Sequence, residues 1–249
     1  MDPRRTIVTG GSGLLGRTLR RLLPEAAYPP RAQFDVTDYA MLELFVRAGD
    51  FELVIHAAAF TSPPRVDQHP VQALDANVIG TANVVKLCAR HGLRLVYIST
   101  DYVFRGDRGR YREEDELHPV NGYAWSKLAG ECAVRLYRDS LIIRTTFGPD
   151  VFPYPAAFSD QWTSRQPVSV AAEQILTAVK SGATGVLHVG GPRRTVLEYA
   201  RSLDPSREIK SLSVCDVAFA VPTDTSLVTE RYRSLTGQPG AAGPAASED

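Results

Sequence analysis

The sequence predicts an α/β chain, a doubly wound parallel sheet with a small, reduced C-terminal lobe. Three observations carry this. The apolar run Thr6-Ile7-Val8 leads into the glycine-rich stretch Thr9-Gly10-Gly11-Ser12-Gly13-Leu14-Leu15-Gly16, which opens a helical pattern reaching Leu23. The runs Leu53 to His56, Leu93 to Ser99 and Leu141 to Arg144 are short and near-continuously apolar, as parallel strands buried on both faces are. Helix-period segments separate these runs. Strand, glycine turn and helix in that order read as a Rossmann-type, dinucleotide-binding fold.

Composition narrows the function. The chain has 249 residues, 44% of them hydrophobic, enough for one good core and a small second lobe. Its 28 basic and 28 acidic residues cancel. No global field therefore draws nucleic acid or an anionic membrane, and an anionic ligand has to be held locally. No run of about 18 apolar residues is available to span a bilayer, and a first strand starting by Thr6 leaves no room for a signal peptide. Cys88, Cys132 and Cys215 lack CxxC spacing and are expected to be reduced thiols in a cytoplasmic protein. The histidines, His56, His69, His91, His118 and His188, never fall at metal-ligand spacing, so no metal is expected.

In the first turn, Gly10 permits the tight bend, Gly13 lets backbone approach a pyrophosphate, and Gly16 lets the new helix pack closely. The helix start at Leu14 and Leu15 offers free amides and a positive dipole end to an anion. Pro24 to Phe34 holds Tyr28-Pro29-Pro30-Arg31 and is too short and too proline-rich for a full strand and helix, so the second βα unit is clipped. That unit normally supplies an acid to the adenosine ribose or an Arg to a 2′-phosphate. Arg17 and Arg31 against Glu25 leave NADP(H) or NAD(H) as the cofactor, with a lean to NADPH.

Asp35-Val36-Thr37-Asp38 follows a short extended run. That places Asp35 at the C-terminal edge of the sheet, as an adenine contact or a turn former, and makes Thr37 the N-cap of a helix from Tyr39 to Arg47. Ala57, Ala58 and Ala59 prolong the strand from Leu53 with side chains small enough to leave room for a cofactor. Residues 61–70, with Pro63, Pro64 and Pro70, are expected to form a loop. One amphipathic helix is expected from Val71 to about Arg90, carrying Asn77 as a cofactor contact or a surface amide.

Ser99-Thr100-Asp101-Tyr102-Val103-Phe104 ends the next strand, and Tyr123-Ala124-Trp125-Ser126-Lys127 opens a later helix. Tyr123 and Lys127, at i and i+4, share a helix face. A free phenol titrates at about 10 and is a poor acid at neutral pH, whereas an ammonium beside it favours phenolate. Thr100, Tyr123 and Lys127 therefore read as a proton-transfer set. Tyr123 delivers the proton, Thr100 bonds the substrate oxygen and Lys127 also reaches the nicotinamide ribose.

Pro149 to Ser159 carries three prolines and is expected to be a loop. Its aromatics Phe152, Tyr154 and Phe158 either cover the site or pack in the core. Helices are expected over Val170 to Lys180, Thr195 to Ser202 and about Ser226 to Leu235, with a strand over Val186 to Val189. The partition is a dinucleotide-binding domain over 1–148, an interleaved substrate lobe over 149–236, and a disordered tail over 237–249 rich in Gly, Pro and Ala.

The stretches Thr9 to Gly16, Asp35 to Asp38, Ala57 to Thr61, Ser99 to Phe104, Asn121 to Glu131 and Asp160-Gln161 together resemble the dTDP-4-dehydrorhamnose reductase family, in the extended short-chain dehydrogenase/reductase superfamily. The resemblance implies an NAD(P)H-dependent reductase of the 4-keto group of a nucleotide-linked 6-deoxysugar, with Thr100, Tyr123 and Lys127 catalytic. It sets Gly10, Gly13, Leu14, Leu15, Gly16, Asp35, Val36, Ala57, Ala58, Ala59, Asn77 and Ser99 beside the cofactor, and Thr61, Tyr102, Val103 and Phe147 beside the sugar. The expected partners are a nucleotide-sugar substrate and a second copy in a homodimer.

The chain departs from the family pattern at two places. Pro149 to Ser159 is short where the family inserts a helix and a strand, which predicts an open pocket. Val221-Pro222 stands where the family has Arg-Pro, leaving Arg144, Arg165, Arg193 and Arg194 as candidates for the nucleotide diphosphate. The chain also resembles the regulatory beta subunit of methionine adenosyltransferase, so a non-catalytic dinucleotide-binding subunit is the alternative. A related nucleotide-sugar epimerase or dehydratase, with Asp101 as its added acid, is a third.

Overall fold

In the computed structural model, which describes residues 1–237, β1 (Thr6–Thr9) is buried along its length and ends in the glycine turn that launches α1 (Leu14–Leu22). Before α2 (Tyr39–Arg47) the chain makes a single parallel bridge, Ile7 to Ala27, where a full second strand would lie. No extended run precedes Asp35. Asp38, not Thr37, caps α2 through the Met41 amide, because Asp35 already holds the Thr37 hydroxyl at 2.8 Å.

β2 (Leu53–His56) leads to α3 (Pro63–Gln68) and α4 (Pro70–Ala73), a wide π turn (Leu74–Ile79) and α5 (Gly80–His91). Two expectations fail here. Residues 61–70 are largely helical, because a proline in the first turn lacks only an amide the helix does not use. The single helix expected from Val71 is widened at the π turn, which carries the buried Asn77.

The chain continues through β3 (Arg94–Thr100), α6 (Gly122–Val134), β4 (Ser140–Thr145), β5 (Phe147–Gly148), β6 (Ala156–Phe158), β7 (Trp162–Thr163) and β8 (Gln166–Pro167). It then forms α7 (Val168–Lys180), β9 (Gly185–Val189), β10 (Arg194–Thr195), α8 (Val196–Leu203), β11 (Lys210–Leu212) and α9 (Glu230–Thr236).

The main sheet has five parallel strands in the order β1-β2-β3-β4-β9. Alternate residues face opposite layers. Val8, Ile55, Val96, Ile143 and Leu187 pack with Leu15 and Leu19 of α1 and with Ile175 and Val179 of α7. Ile7, Val54, Leu95 and Ile142 pack on the other face with Leu42 of α2, Val84 and Leu87 of α5 and Val134 of α6. Because α7 and β9 complete this layer, the small lobe is threaded through the sheet domain in sequence.

Three two-stranded pairs, β5 with β8, β6 with β11 and β7 with β10, build the small lobe. Its core includes Phe152, Val196, Tyr199 and Ile209. The segment expected as a loop thus ends in β6, beyond its last proline, and Phe152 packs inside the lobe. Thr195 caps α8 in a reciprocal capping box with Glu198. The last helix starts at Glu230 and not near Ser226. Ser226 O and the Val228 amide bond to the backbone of Tyr111, at 2.9 and 2.8 Å, which claims groups a helix would use. Gly237, at φ +68°, closes α9; the rest of the expected disordered tail lies outside the described residues.

α6 is pinned to the sheet by a buried ion pair. Arg144 on β4 and Glu131 on α6 are both fully buried, with Arg144 Nη2 at 2.9 Å from Glu131 Oε2, and the Ser99 hydroxyl donates to Glu131 Oε1 at 2.6 Å. Removing one partner leaves the other charge buried and unpaired. Arg144→Met should therefore lower the unfolding free energy in urea by about 3–5 kcal/mol, with part of it recovered in the double variant with Glu131→Gln. A loss under about 1 kcal/mol in the single variant would contradict this role.

Candidate active site

The glycine turn forms a cradle that admits no side chains where it matters. Gly10 sits at φ +73°, and a Cβ there would lie 2.7 Å from the Ala58 amide nitrogen. A Cβ on Gly16 would lie 2.6 Å from Gly11 Cα, so the close packing at Gly16 is against the turn itself. At Gly13 a Cβ would meet only Gly10 O, at 3.2 Å, leaving open space in front of the backbone. The first helical bond runs from the Arg17 amide to Gly13 O, so the amides of Leu14, Leu15 and Gly16 precede the ladder at the positive helix end. The Leu15 side chain itself belongs to the core.

A buried histidine holds the facing wall. His56 Nδ1 lies 2.8 Å from Thr9 Oγ1 and Nε2 lies 3.1 Å from Thr81 Oγ1, tying β1, β2 and α5 together. Burial pushes its imidazole down to about 3, with the Lys127 charge acting the same way, so it stays neutral. Thr9 Oγ1 also accepts from the Ala58 amide at 3.0 Å. The backbone of Ala57 to Ala59 is thereby drawn against Gly10. Turn and wall thus meet through glycine and alanine backbone at the C-terminal ends of β1 and β2.

Ahead of α2, Asp35 accepts from the Thr37 amide at 3.0 Å and pairs with Arg31 at 2.7 Å, contacts that hold a turn. Val36 is buried beneath α5, where its side chain packs against Gly80 and its carbonyl accepts from Asn83. Arg20 stacks over the Tyr28 ring at 4.6 Å and brings Nη2 near Gly11.

At the end of β3, Thr100 Oγ1 donates to Asp101 Oδ1 at 3.1 Å and accepts from the Tyr102 amide at 3.2 Å. Asn121 caps α6 and sets Tyr123 in its first turn, where the phenol faces the Thr100 hydroxyl. Burial raises the Tyr123 phenol well above 10, with Asp101 and Tyr102 adding to the rise and Thr100 opposing it. The ammonium-assisted lowering expected from the i,i+4 spacing is not what the fold provides. Lys127 Nζ instead donates to Ile98 O at 2.8 Å and lies 4.1 Å from the Tyr97 ring centroid. Burial pushes Lys127 down to about 7, against the pull of Glu131.

Several expected contacts are committed elsewhere. The Ser99 hydroxyl serves Glu131. Asn77 accepts from the Phe60 amide at 2.7 Å and donates to Phe60 O and Ser126 Oγ at 2.9 and 2.8 Å, so its amide clamps the chain after Ala59 to α6. Val103 is 0% exposed and packs with Phe104, Tyr111 and Leu227. The turn at Asp101–Val103 rotates it inward, so its side chain does not border the sugar. Tyr102 accepts from Gln161 Nε2 at 2.9 Å. Thr61 is exposed ahead of α3, and Phe147, which opens β5, lies half-buried at the edge of the core.

Of the candidate arginines, Arg144 is spent on Glu131. Arg193 pairs with Asp224 at 2.8 Å and lies 3.8 Å over Trp162, and Arg194 bonds Ser202. Arg165 is different: its Nε is buried without a partner, and its charge acts on Asp101 and Tyr102. Glu131, Gln161 and Thr225 fall within stretches the sequence singles out, but the sequence alone assigned them no role. For Glu131 a signal was available, an acid one turn beyond Lys127 on the same buried helix face. Among the described residues there is no cluster of His, Cys, Asp or Glu that would hold a metal, and no helix long and apolar enough to cross a membrane.

The RmlD substrate binding domain family matches residues 4–194. A dTDP-4-dehydrorhamnose reductase of Mycobacterium tuberculosis is 31% identical, covering 94% of this chain and 87% of the relative. Methionine adenosyltransferase 2 subunit beta of Bos taurus is 28% identical, over 95% of this chain and 76% of the relative. The dTDP-4-dehydrorhamnose reductase of Bacillus anthracis, solved in complex with NADP, superposes with a TM-score of 0.85 at 27% identity, over 92% of each chain.

The depressed Lys127 gives a signed pH dependence. Between about 7 and 10 the unfolded chain keeps the lysine proton that the native protein has lost, so in this window stability rises with pH. The unfolding free energy of the parent should rise relative to that of Lys127→Met over that range; a constant difference would show that Lys127 is not depressed.

Proposed function

Because the chain belongs to the RmlD substrate binding domain family, we propose that it is an NAD(P)H-dependent reductase of the short-chain dehydrogenase/reductase type, acting on the 4-keto group of a nucleotide-linked 6-deoxysugar. The observation that supports this best is the Thr100 hydroxyl facing the Tyr123 phenol at the C-terminal edge of the sheet, beside the glycine cradle. The amides of Leu14, Leu15 and Gly16 would hold the pyrophosphate, with Ala57 to Ala59 against the dinucleotide. The nicotinamide, when bound, supplies the hydride. Tyr123 gives its proton to the keto oxygen, Thr100 bonds that oxygen, and Lys127 sits one turn behind the phenol, able to hold or release a proton near neutral pH.

Arg165, which forms no ion pair with a carboxylate among the described residues, is the cation this reading assigns to the sugar diphosphate. The homodimer implied by the resemblance belongs to the same proposal, and light scattering of the purified chain tests it. A second reading, a non-catalytic dinucleotide-binding subunit, is favoured by the 28% identity to the methionine adenosyltransferase subunit.

Two experiments bear on these readings. In a panel of dTDP-, UDP-, GDP- and CDP-linked 4-keto-6-deoxysugars, at least one should be reduced with NAD(P)H oxidation. Tyr123→Phe should lower that rate about 10²- to 10⁴-fold, while Arg165→Met should chiefly raise KM. Failure of the whole panel together with a stable heteromeric partner would sink the reductase. By calorimetry, Gly13→Val should weaken cofactor binding about tenfold, roughly 1.4 kcal/mol, and NADPH should bind more tightly than NADH because Arg17 and Arg20 flank the turn. Unchanged affinity in a folded Gly13→Val protein would remove the cradle from the cofactor site.

A further inference from the structure

Asp101 at the C-terminal end of β3 is 1% exposed, and the proton transfer described so far makes no use of it. Each of its two oxygens accepts from a threonine hydroxyl. Oδ1 accepts from Thr100 Oγ1 at 3.1 Å, and Oδ2 accepts from Thr225 Oγ1 at 2.6 Å. Thr225 is fully buried and comes from the extended segment that precedes α9. The charged and titratable groups facing Asp101 are Arg165, beyond β7, and Tyr102 and Tyr123. Thr100, bonded to Asp101, therefore stands between that carboxyl and the neighbouring Tyr123 phenol. Lys127, by contrast, is bonded to Ile98 O.

A threonine hydroxyl has one proton and points it one way at a time. With Asp101 ionised, Thr100 gives its proton to the carboxylate and is left as an acceptor toward Tyr123 and the substrate. With Asp101 protonated, the carboxyl donates to Thr100, and the Thr100 proton is free to point at the phenol oxygen or the substrate oxygen. The state of Asp101 thus selects between an accepting and a donating Thr100.

Building on the reductase reading, we propose that Asp101 is the proton donor behind Thr100, which orients its hydroxyl and returns a proton to Tyr123 after each reduction. The step balances. Tyr123 gives its phenolic proton to the keto oxygen and is left a phenolate. Thr100 passes its hydroxyl proton to that phenolate as the Asp101 carboxyl proton moves onto Thr100 Oγ1. Asp101 is left a carboxylate and takes its next proton from water. The direction is downhill, since burial lifts Asp101 only to about 6 while the phenol lies far higher. Thr225 and Arg165 keep Asp101 from rising further.

The test is the pH profile of kcat for the parent, Asp101→Asn and Thr225→Val on a substrate the parent reduces. The parent kcat should fall as pH rises above about 6, as Asp101 loses its proton. Asp101→Asn should lower kcat about tenfold or more at pH near 6, with KM little changed, and should lose that limb. Thr225→Val, which keeps the shape and removes the hydroxyl holding Asp101 down, should move the limb to higher pH. A uniform loss with the limb in place in both variants would mean a merely structural role and would overturn the proposal. If the parent reduces nothing, the reductase reading fails on its own, and the coupling is still read by ultraviolet titration. The Tyr123 phenol, identified by difference from Tyr123→Phe, should ionise at lower pH in Asp101→Asn, and an unchanged titration would overturn the coupling.

Discussion

The Glu131–Arg144 pair, out of reach of water, decides where α6 lies, and the candidate chemistry follows from that placement. A buried ion pair adds little net stability once desolvation is counted, but it tolerates few alternative geometries. Arg144 comes from β4 and Ser99 from β3, and both end on one carboxylate of α6. The helix is therefore fixed in rotation as well as position. Two turns earlier on it, Tyr123 meets the end of β3 at Thr100, and one turn earlier Lys127 reaches Ile98 O. Apolar packing alone would allow α6 to slide; directional bonds to two adjacent strands do not.

The glycine turn, the candidate cofactor side, obeys a different constraint, close backbone approach. Gly10 touches the Ala58 peptide and Gly16 touches the turn, so the cradle depends on missing side chains. What keeps those backbones together is the Thr9–His56–Thr81 bridge, neutral because its imidazole is too buried to take a proton. Asn77, set inward by the π turn, does the same for the chain beyond Ala59.

Polar contacts between the small lobe and the catalytic end of the sheet are made where the chemistry lies. Gln161 bonds Tyr102 and Thr225 bonds Asp101. The lobe keeps its own apolar core around Phe152 and Tyr199, away from these contacts. Its position is thereby registered by hydrogen bonds to the residues flanking Thr100, and any shift of the lobe is felt first by Asp101.

The sequence by itself determined the parallel sheet, the glycine turn and the clipped second unit, and it marked Thr100, Tyr123 and Lys127 as the candidate proton-transfer set. Each of these is written in local order: apolar runs of strand length, a Cβ that cannot fit, an i,i+4 spacing. Tertiary structure decided the rest, because burial and partner choice depend on residues far apart in the chain. The spacing puts Lys127 beside Tyr123 on one helix face, but only the fold sends its ammonium to Ile98 O and leaves the phenol high. Val36, Val103 and Ser99 sit in motifs that read as ligand contacts, yet their side chains turn into the core or onto Glu131. Thr225 lies more than a hundred residues from Asp101, and its hydroxyl matters only because the chain returns it to that buried carboxyl.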